Sequence, residues 1–141
     1  MYYCNMYSFE TKLRVRYAET DQMGFVYYGV YAQYYEVGRV ELLRSIGISY
    51  KEIEAIGFAL PVVNLNIKYI KPAFYDDEIT IKTSIKLMPS VKMVFDYETL
   101  NQEGELLNRG EVVLVFVNKI TGKPASAPEV LMNRLKDKLC K

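Results

Sequence analysis

Between Tyr28 and about Ile46 the chain carries an apolar stripe too wide for a helix that lies on a surface. Tyr31, Tyr34, Tyr35, Leu42 and Ile46 recur at helical spacing with Gly38 between them, and Val30, Val37, Val40 and Leu43 widen the arc well past half the circumference. Such a helix has to be wrapped by other structure, so the rest of the chain must curl round it. Gly47 is placed to cap its end. Ser49, with Glu52 three residues on, is a capping box that opens a second short helix, Tyr50 to Ile56, closed by Gly57.

The wrapping comes from strands. From Phe9 to Tyr17 the residues Phe9, Leu13, Val15 and Tyr17 alternate with Glu10, Lys12, Arg14 and Arg16, with Thr11 on the apolar side. After the helices, Val63, Leu65, Ile67 and Tyr69 alternate with polar residues until Pro72; a second run covers Ile79 to Leu87, and a third Val91 to Tyr97. Short turns at Tyr75-Asp76-Asp77 and Met88-Pro89-Ser90 join them. A fifth strand, Leu106 to Asn118, ends in VVLVFVN, apolar on both faces, and is expected to be central or covered on both sides. Pro128 opens a terminal helix, Glu129 to Leu139, with Val130, Leu131, Leu135 and Leu139 on one side. The order predicts an α+β fold over a single domain, residues 1–141, in which an antiparallel five-stranded sheet curls round one central helix. The apolar surface left over in VVLVFV predicts association with another copy.

Composition removes whole classes of function. There is no histidine among the 141 residues, so a Ser-His-Asp or Cys-His arrangement and a zinc site with histidine ligands are excluded. The sequence has no GxSxG, GxGxxG or GxxxxGK[ST] motif. A formal net charge of +1 gives no polyanion-binding surface, which argues against nucleic acid as a partner. The two cysteines, Cys4 and Cys140, stand near opposite ends without CxxC spacing, which fits a reducing compartment. No leader and no membrane span are read in the sequence, so a cytoplasmic location is expected.

The residues that carry chemistry lie between Arg16 and Arg44. Asp21 is a carboxylate in a loop with Gly24, followed by Phe25, Tyr27 and Tyr28 at the helix start. A carboxylate, a helix N-terminus and an apolar wall together point to a site. The motif TDQMGFVYYGVYAQYYEVGR, with NLNIKYIKPAFYDDEITI further on, resembles the hotdog-fold acyl-CoA thioesterases of the 4-hydroxybenzoyl-CoA thioesterase type. The similarity runs from about Phe9 to Asn118. It implies a hotdog fold and hydrolysis of acyl-CoA, and its signature falls on Asp21, Gly24, Val26, Tyr27, Tyr28, Tyr31, Glu36 and Arg39. Many members carry histidine where Tyr28 stands, while the aryl-CoA branch has tyrosine.

Hydrolysing a thioester needs a base or nucleophile close to the carbonyl carbon and donors aimed at the oxyanion. Asp21 can orient and deprotonate water, or attack to form a mixed anhydride; as a bare residue type it is also a common turn or cap residue. The helix start offers unpaired N–H groups, and the resemblance places the donor at the Tyr28 backbone N–H. Tyr31 and Tyr27 are candidates for the acyl-binding wall. Glu36 either points into the pocket or across a dimer, or pairs with Arg39 on an exposed arc. Lys92, and Lys123, are candidates for the phosphates of coenzyme A. No cofactor or metal is required, coenzyme A being part of the substrate. Acyl carrier protein is an alternative partner, and a non-catalytic acyl-CoA-binding hotdog protein an alternative function. A dehydratase is disfavoured because in hotdog proteins that chemistry uses histidine. A homodimer or homotetramer is expected.

Overall fold

The computed structural model describes residues 5–139, so Cys4 and Cys140 lie outside the described residues. The first strand, β1 (Tyr7–Arg14), stops earlier than its alternation predicts. The Arg16 N–H donates to a carboxylate oxygen of Glu19 (2.8 Å), and the chain leaves the sheet for a 3₁₀ turn, Tyr17–Glu19. Local side-chain bonding of this kind competes with the ladder. Tyr17, expected on the buried face, is consequently exposed.

A second 3₁₀ turn, Tyr28–Val30, runs directly into the central helix α1 (Tyr31–Ser45), so the helix predicted from Tyr28 is α-helical only from Tyr31. Next come α2 (Tyr50–Ala55), capped by the Ser49 hydroxyl accepting from the Glu52 N–H, and then β2 (Phe58–Ala59). The remaining strands are β3 (Val62–Tyr69), β4 (Glu78–Ile85), β5 (Lys92–Leu100), β6 (Leu106–Val115) and β7 (Val117–Asn118). The terminal helix α3 (Glu129–Leu139) buries Leu131, Leu135 and Leu139, while Val130 faces outward instead of inward.

Five strands form one antiparallel sheet in the order β1-β4-β5-β6-β3, and α1 packs across its inner face. This is the hotdog arrangement of the sequence expectation. The strand expected to run unbroken to Asn118 splits at Phe116, whose N–H donates to the Val91 carbonyl while its own carbonyl accepts from Ala125. Beyond it, β7 pairs with β2 in a separate two-stranded sheet. Within VVLVFV, Val112, Leu114 and Phe116 are buried, whereas Val113 and Val115 on the other face are half-buried.

Two glycines let helix and sheet approach. A Cβ at Gly38 would lie 2.8 Å from Ile81 Cγ2 and closer still to the Thr83 hydroxyl, so only glycine seats α1 this near β4. Gly110 leaves room for the Tyr35 ring, which stacks on Tyr97 (centroids 4.1 Å, interplanar 2°) and donates its hydroxyl to Asn108 Oδ1 (2.5 Å). The wrapping of α1 is one-sided in the single chain. Tyr31, Tyr34, Tyr35, Gly38 and Leu42 are buried, but Glu36 and Val37 stay exposed. The edge strand β3 is likewise open, with Val63 56% and Leu65 42% exposed. Among the described residues no helix is long and apolar enough to cross a membrane.

Candidate active site

The loop between β1 and α1 is built around one side chain. Asp21 donates its N–H to the Phe25 carbonyl (2.8 Å), accepts at its own carbonyl from Gly24 (3.0 Å), and turns Oδ1 back onto the N–H groups of Met23 (2.9 Å) and Phe25 (3.2 Å). Gly24 closes the turn at φ +81°, the left-handed region that favours glycine. It shapes the loop and does not line the cleft. One oxygen of Asp21 therefore holds the loop, and Oδ2 takes no hydrogen bond among the described residues. Asp21 borders a cleft of about 280 Å³ whose walls include Phe25, Tyr28, Tyr31, Tyr69 and Lys71.

Both ends of the loop are tied down. Glu19 is buried, and its carboxylate accepts from the Arg16 N–H, the Arg16 guanidinium and the Tyr34 hydroxyl (2.8 Å), which links the loop to α1. Burial alone would raise its pKa, but these donors outweigh burial and hold it below the ordinary carboxylate value. The Glu19 carbonyl accepts from the Tyr27 N–H (2.9 Å), and the Val26 N–H donates to Ala73 (2.9 Å). This pairing leaves Tyr28 as the first residue of the 3₁₀ turn that feeds α1. A first-turn N–H has no acceptor within its own helix, and the Tyr28 N–H takes none elsewhere among the described residues. The Tyr28 carbonyl accepts from the Tyr69 hydroxyl (2.9 Å).

Two of the phenols on the cleft, Tyr31 and Tyr69, are held neutral by burial. Burial pushes the Tyr31 hydroxyl up to about 12, and it also raises Tyr69. Asp21 supplies the carboxylate side chain among the residues of the cleft wall, and Lys71, ion-paired with Glu105, the basic one. The structure brings Asp21, Tyr28 and Tyr31 together and leaves four candidates outside, among them Lys123, exposed in the turn after β7. Tyr27 packs its ring on Tyr28 (centroids 4.6 Å) without lining the cleft. Glu36 faces a different groove along α1, and Lys92 is exposed at the start of β5. The pairing of Glu36 with Arg39 on an exposed arc does not form: Arg39 is buried and donates from Nε to the Tyr50 hydroxyl (3.1 Å). Tyr69 and Lys71 were missed as site residues. Tyr69 carried a signal, since its alternation gave the inward face of β3, and at that strand's open end inward means into the cleft.

The family model of the thioesterase-like superfamily matches residues 15–135. The chain belongs to this superfamily. It is similar to the acyl-CoA thioester hydrolase YbgC of Escherichia coli, 34% identical over 91% of this chain and 96% of the relative. A chloroplastic acyl-acyl carrier protein thioesterase of Arabidopsis thaliana is 36% identical over 74% of this chain and 56% of its own length. Among solved structures, a DHNA-CoA thioesterase from Staphylococcus aureus superposes with a TM-score of 0.81 at 36% identity, covering 84% of this chain and 80% of that one. The resemblance to hotdog thioesterases carried by the Asp21 motif is borne out.

Proposed function

We propose that this protein hydrolyses acyl-CoA thioesters to a carboxylic acid and coenzyme A, with Asp21 as base or nucleophile. The observation that carries the reading is that Asp21, with one carboxylate oxygen free of hydrogen bonds, and Tyr28, with an unbonded N–H, line the same aromatic-walled cleft. A thioester carbonyl laid against that N–H meets a donor at the positive end of α1, where negative charge develops as the carbon becomes tetrahedral. Oδ2 then either takes a proton from an attacking water or attacks the carbon itself; in both cases the C–S bond breaks and the thiolate leaves to be protonated. In the second case water cleaves the resulting anhydride and restores Asp21. Phe25, Tyr28, Tyr31 and Tyr69 form the wall for the acyl group, and no cofactor enters the reaction.

The same chemistry serves an acyl group on acyl carrier protein, a second reading favoured by the similarity to the Arabidopsis enzyme. Thiol release from aliphatic and aromatic acyl-CoAs and from acyl-acyl carrier protein decides between them. Release from acyl-CoA is the expected result. Silence across the panel with retained acyl-CoA binding would make the protein a non-catalytic acyl-CoA binder. The working form is a homo-oligomer, a dimer at least, since the open β3 edge and the bare flank of α1 leave apolar surface that one chain does not cover.

A further inference from the structure

Arg39 carries a buried charge with no counter-charge. It stands midway along α1, 7% exposed, and among the described residues no carboxylate forms an ion pair with it. Its side-chain hydrogen-bond partner is a hydroxyl, with Tyr50 accepting from Nε. Buried guanidinium groups are ordinarily paired, because a hydroxyl dipole replaces only part of the lost hydration. The guanidinium is nevertheless not sealed in. Arg39 lines a groove of about 260 Å³ between α1 and β3, together with Ala32, Glu36, Val62 and Leu65. It also lines the continuation of that groove, about 330 Å³, toward Tyr50 and Glu54.

Glu36 lines both grooves too, and it is exposed and forms no ion pair among the described residues. Ala32, Glu36 and Arg39 follow helical i, i+4, i+7 spacing, which sets them on one flank of α1. That flank faces β3. A small anion entering the groove would meet the Glu36 and Glu54 carboxylates as well as the guanidinium, so the wall is poorly matched to a free anion. It is matched to itself. Within that flank Arg39 and Glu36, an unpaired cation and an unpaired anion three residues apart, are both satisfied when a two-fold axis brings two copies of the flank together antiparallel, because every contact is then made twice. The neighbouring β3 has an unpaired outer edge in the five-stranded sheet, which the same axis can supply with a strand.

We infer that Glu36 and Arg39 form reciprocal ion pairs between two copies of this chain, along the groove between α1 and β3. The inference rests on the homo-oligomer reading above and adds the side chains that hold the two copies in register. Such pairs are sensitive to charge, since removing one member leaves the other buried and bare.

The test is a pair of charge reversals, Glu36→Lys and Arg39→Glu, followed by sedimentation equilibrium. Each variant alone juxtaposes like charges twice and is expected to weaken the dimer on the order of tenfold or more. Mixed in equal amounts, the two variants match both pairs and are expected to recover a dimer containing one chain of each, detectable by a mass tag on one of them. Because Arg39→Glu alters a buried position, circular dichroism must first show it folded; if it is not, Arg39→Gln replaces it and the dimer should lose its dependence on salt. A wild-type monomer at micromolar concentration would overturn the oligomer reading and this inference together. A wild-type dimer untouched by Glu36→Lys would overturn this inference alone. So would a melting temperature raised by millimolar acetate in wild type but not in Arg39→Gln, with the dimer again unaffected by Glu36→Lys, which would assign the groove to a small anion.

Discussion

At Asp21 the two carboxylate oxygens have separate duties, and this makes the charge removable without the loop. An asparagine in its place would keep an oxygen to accept from the Met23 and Phe25 N–H groups, so Asp21→Asn should retain the melting temperature while turnover falls about 10²-fold or more. Near wild-type turnover would remove Asp21 from the chemistry. At Tyr28 the backbone and the phenol can also be separated. Tyr27 has φ −59° and ψ 132°, a conformation that accepts a following proline. Since the Tyr28 N–H is bonded to nothing among the described residues, Tyr28→Pro should fold and lose on the order of 10² to 10³ in kcat. Tyr28→Phe should keep most of it; the reverse pattern would assign the work to the hydroxyl. Glu19 sets an acid limit. Its folded pKa lies below the ordinary 4.5, so its contribution to stability is present above that value and is lost as pH falls through the folded pKa. Glu19→Gln should therefore melt lower than wild type at pH 7, and the difference should close below about pH 4.5. A gap of constant size across that range would mean that the Glu19 charge plays no part.

Element by element, the sequence made the architecture legible where one pattern dominated, and blurred it where tertiary contacts decided. The central helix, the Ser49 cap and α3 could be read because periodicity and capping chemistry are local. The end of β1 could not, because Arg16 continues the alternation while its N–H is taken by Glu19. Phe116 interrupts an unbroken apolar run for a similar reason: its backbone partners, Val91 and Ala125, are distant in sequence. Of the site, Asp21 and Tyr28 were legible from the motif, whereas Lys71 reaches the cleft only through the path of the chain after β3, which no periodicity encodes. Gly38 reads as a weak point in a helix and proves to be a contact. Replacing it with alanine gains about 1 kcal/mol of helix propensity, but the new Cβ would press on Ile81 and Thr83, and overpacking of this kind costs about 1–3 kcal/mol. The second effect is the larger, so Gly38→Ala should lower the melting temperature by a few degrees. An unchanged or higher value would show that α1 can lift off β4 freely.

Across the whole molecule, the cleft and the open sheet edge are one continuous feature. The cleft wall from Tyr69 through Lys71 is the direct continuation of β3, the outermost strand. A second copy seated on that edge would border the cleft, giving the Asp21 loop a closed wall on the side where a single chain leaves it open to water. If the Tyr28 N–H is the donor proposed above, excluding water there would strengthen its pull on the thioester oxygen, since the same dipole would act in a lower dielectric. Activity should accordingly follow assembly. Leu65 lies on β3, is 42% exposed and does not line the Asp21 cleft, so a lysine there should obstruct edge pairing without touching the chemistry directly. In one dilution series followed by light scattering and thiol release, wild type should hold its dimer mass and specific activity at micromolar concentration. Leu65→Lys should fall to monomer mass and lose activity in parallel, with circular dichroism unchanged. A folded Leu65→Lys monomer that turns over acyl-CoA at the wild-type rate would show that each chain carries a complete site, and the link between the β3 edge and catalysis would be wrong.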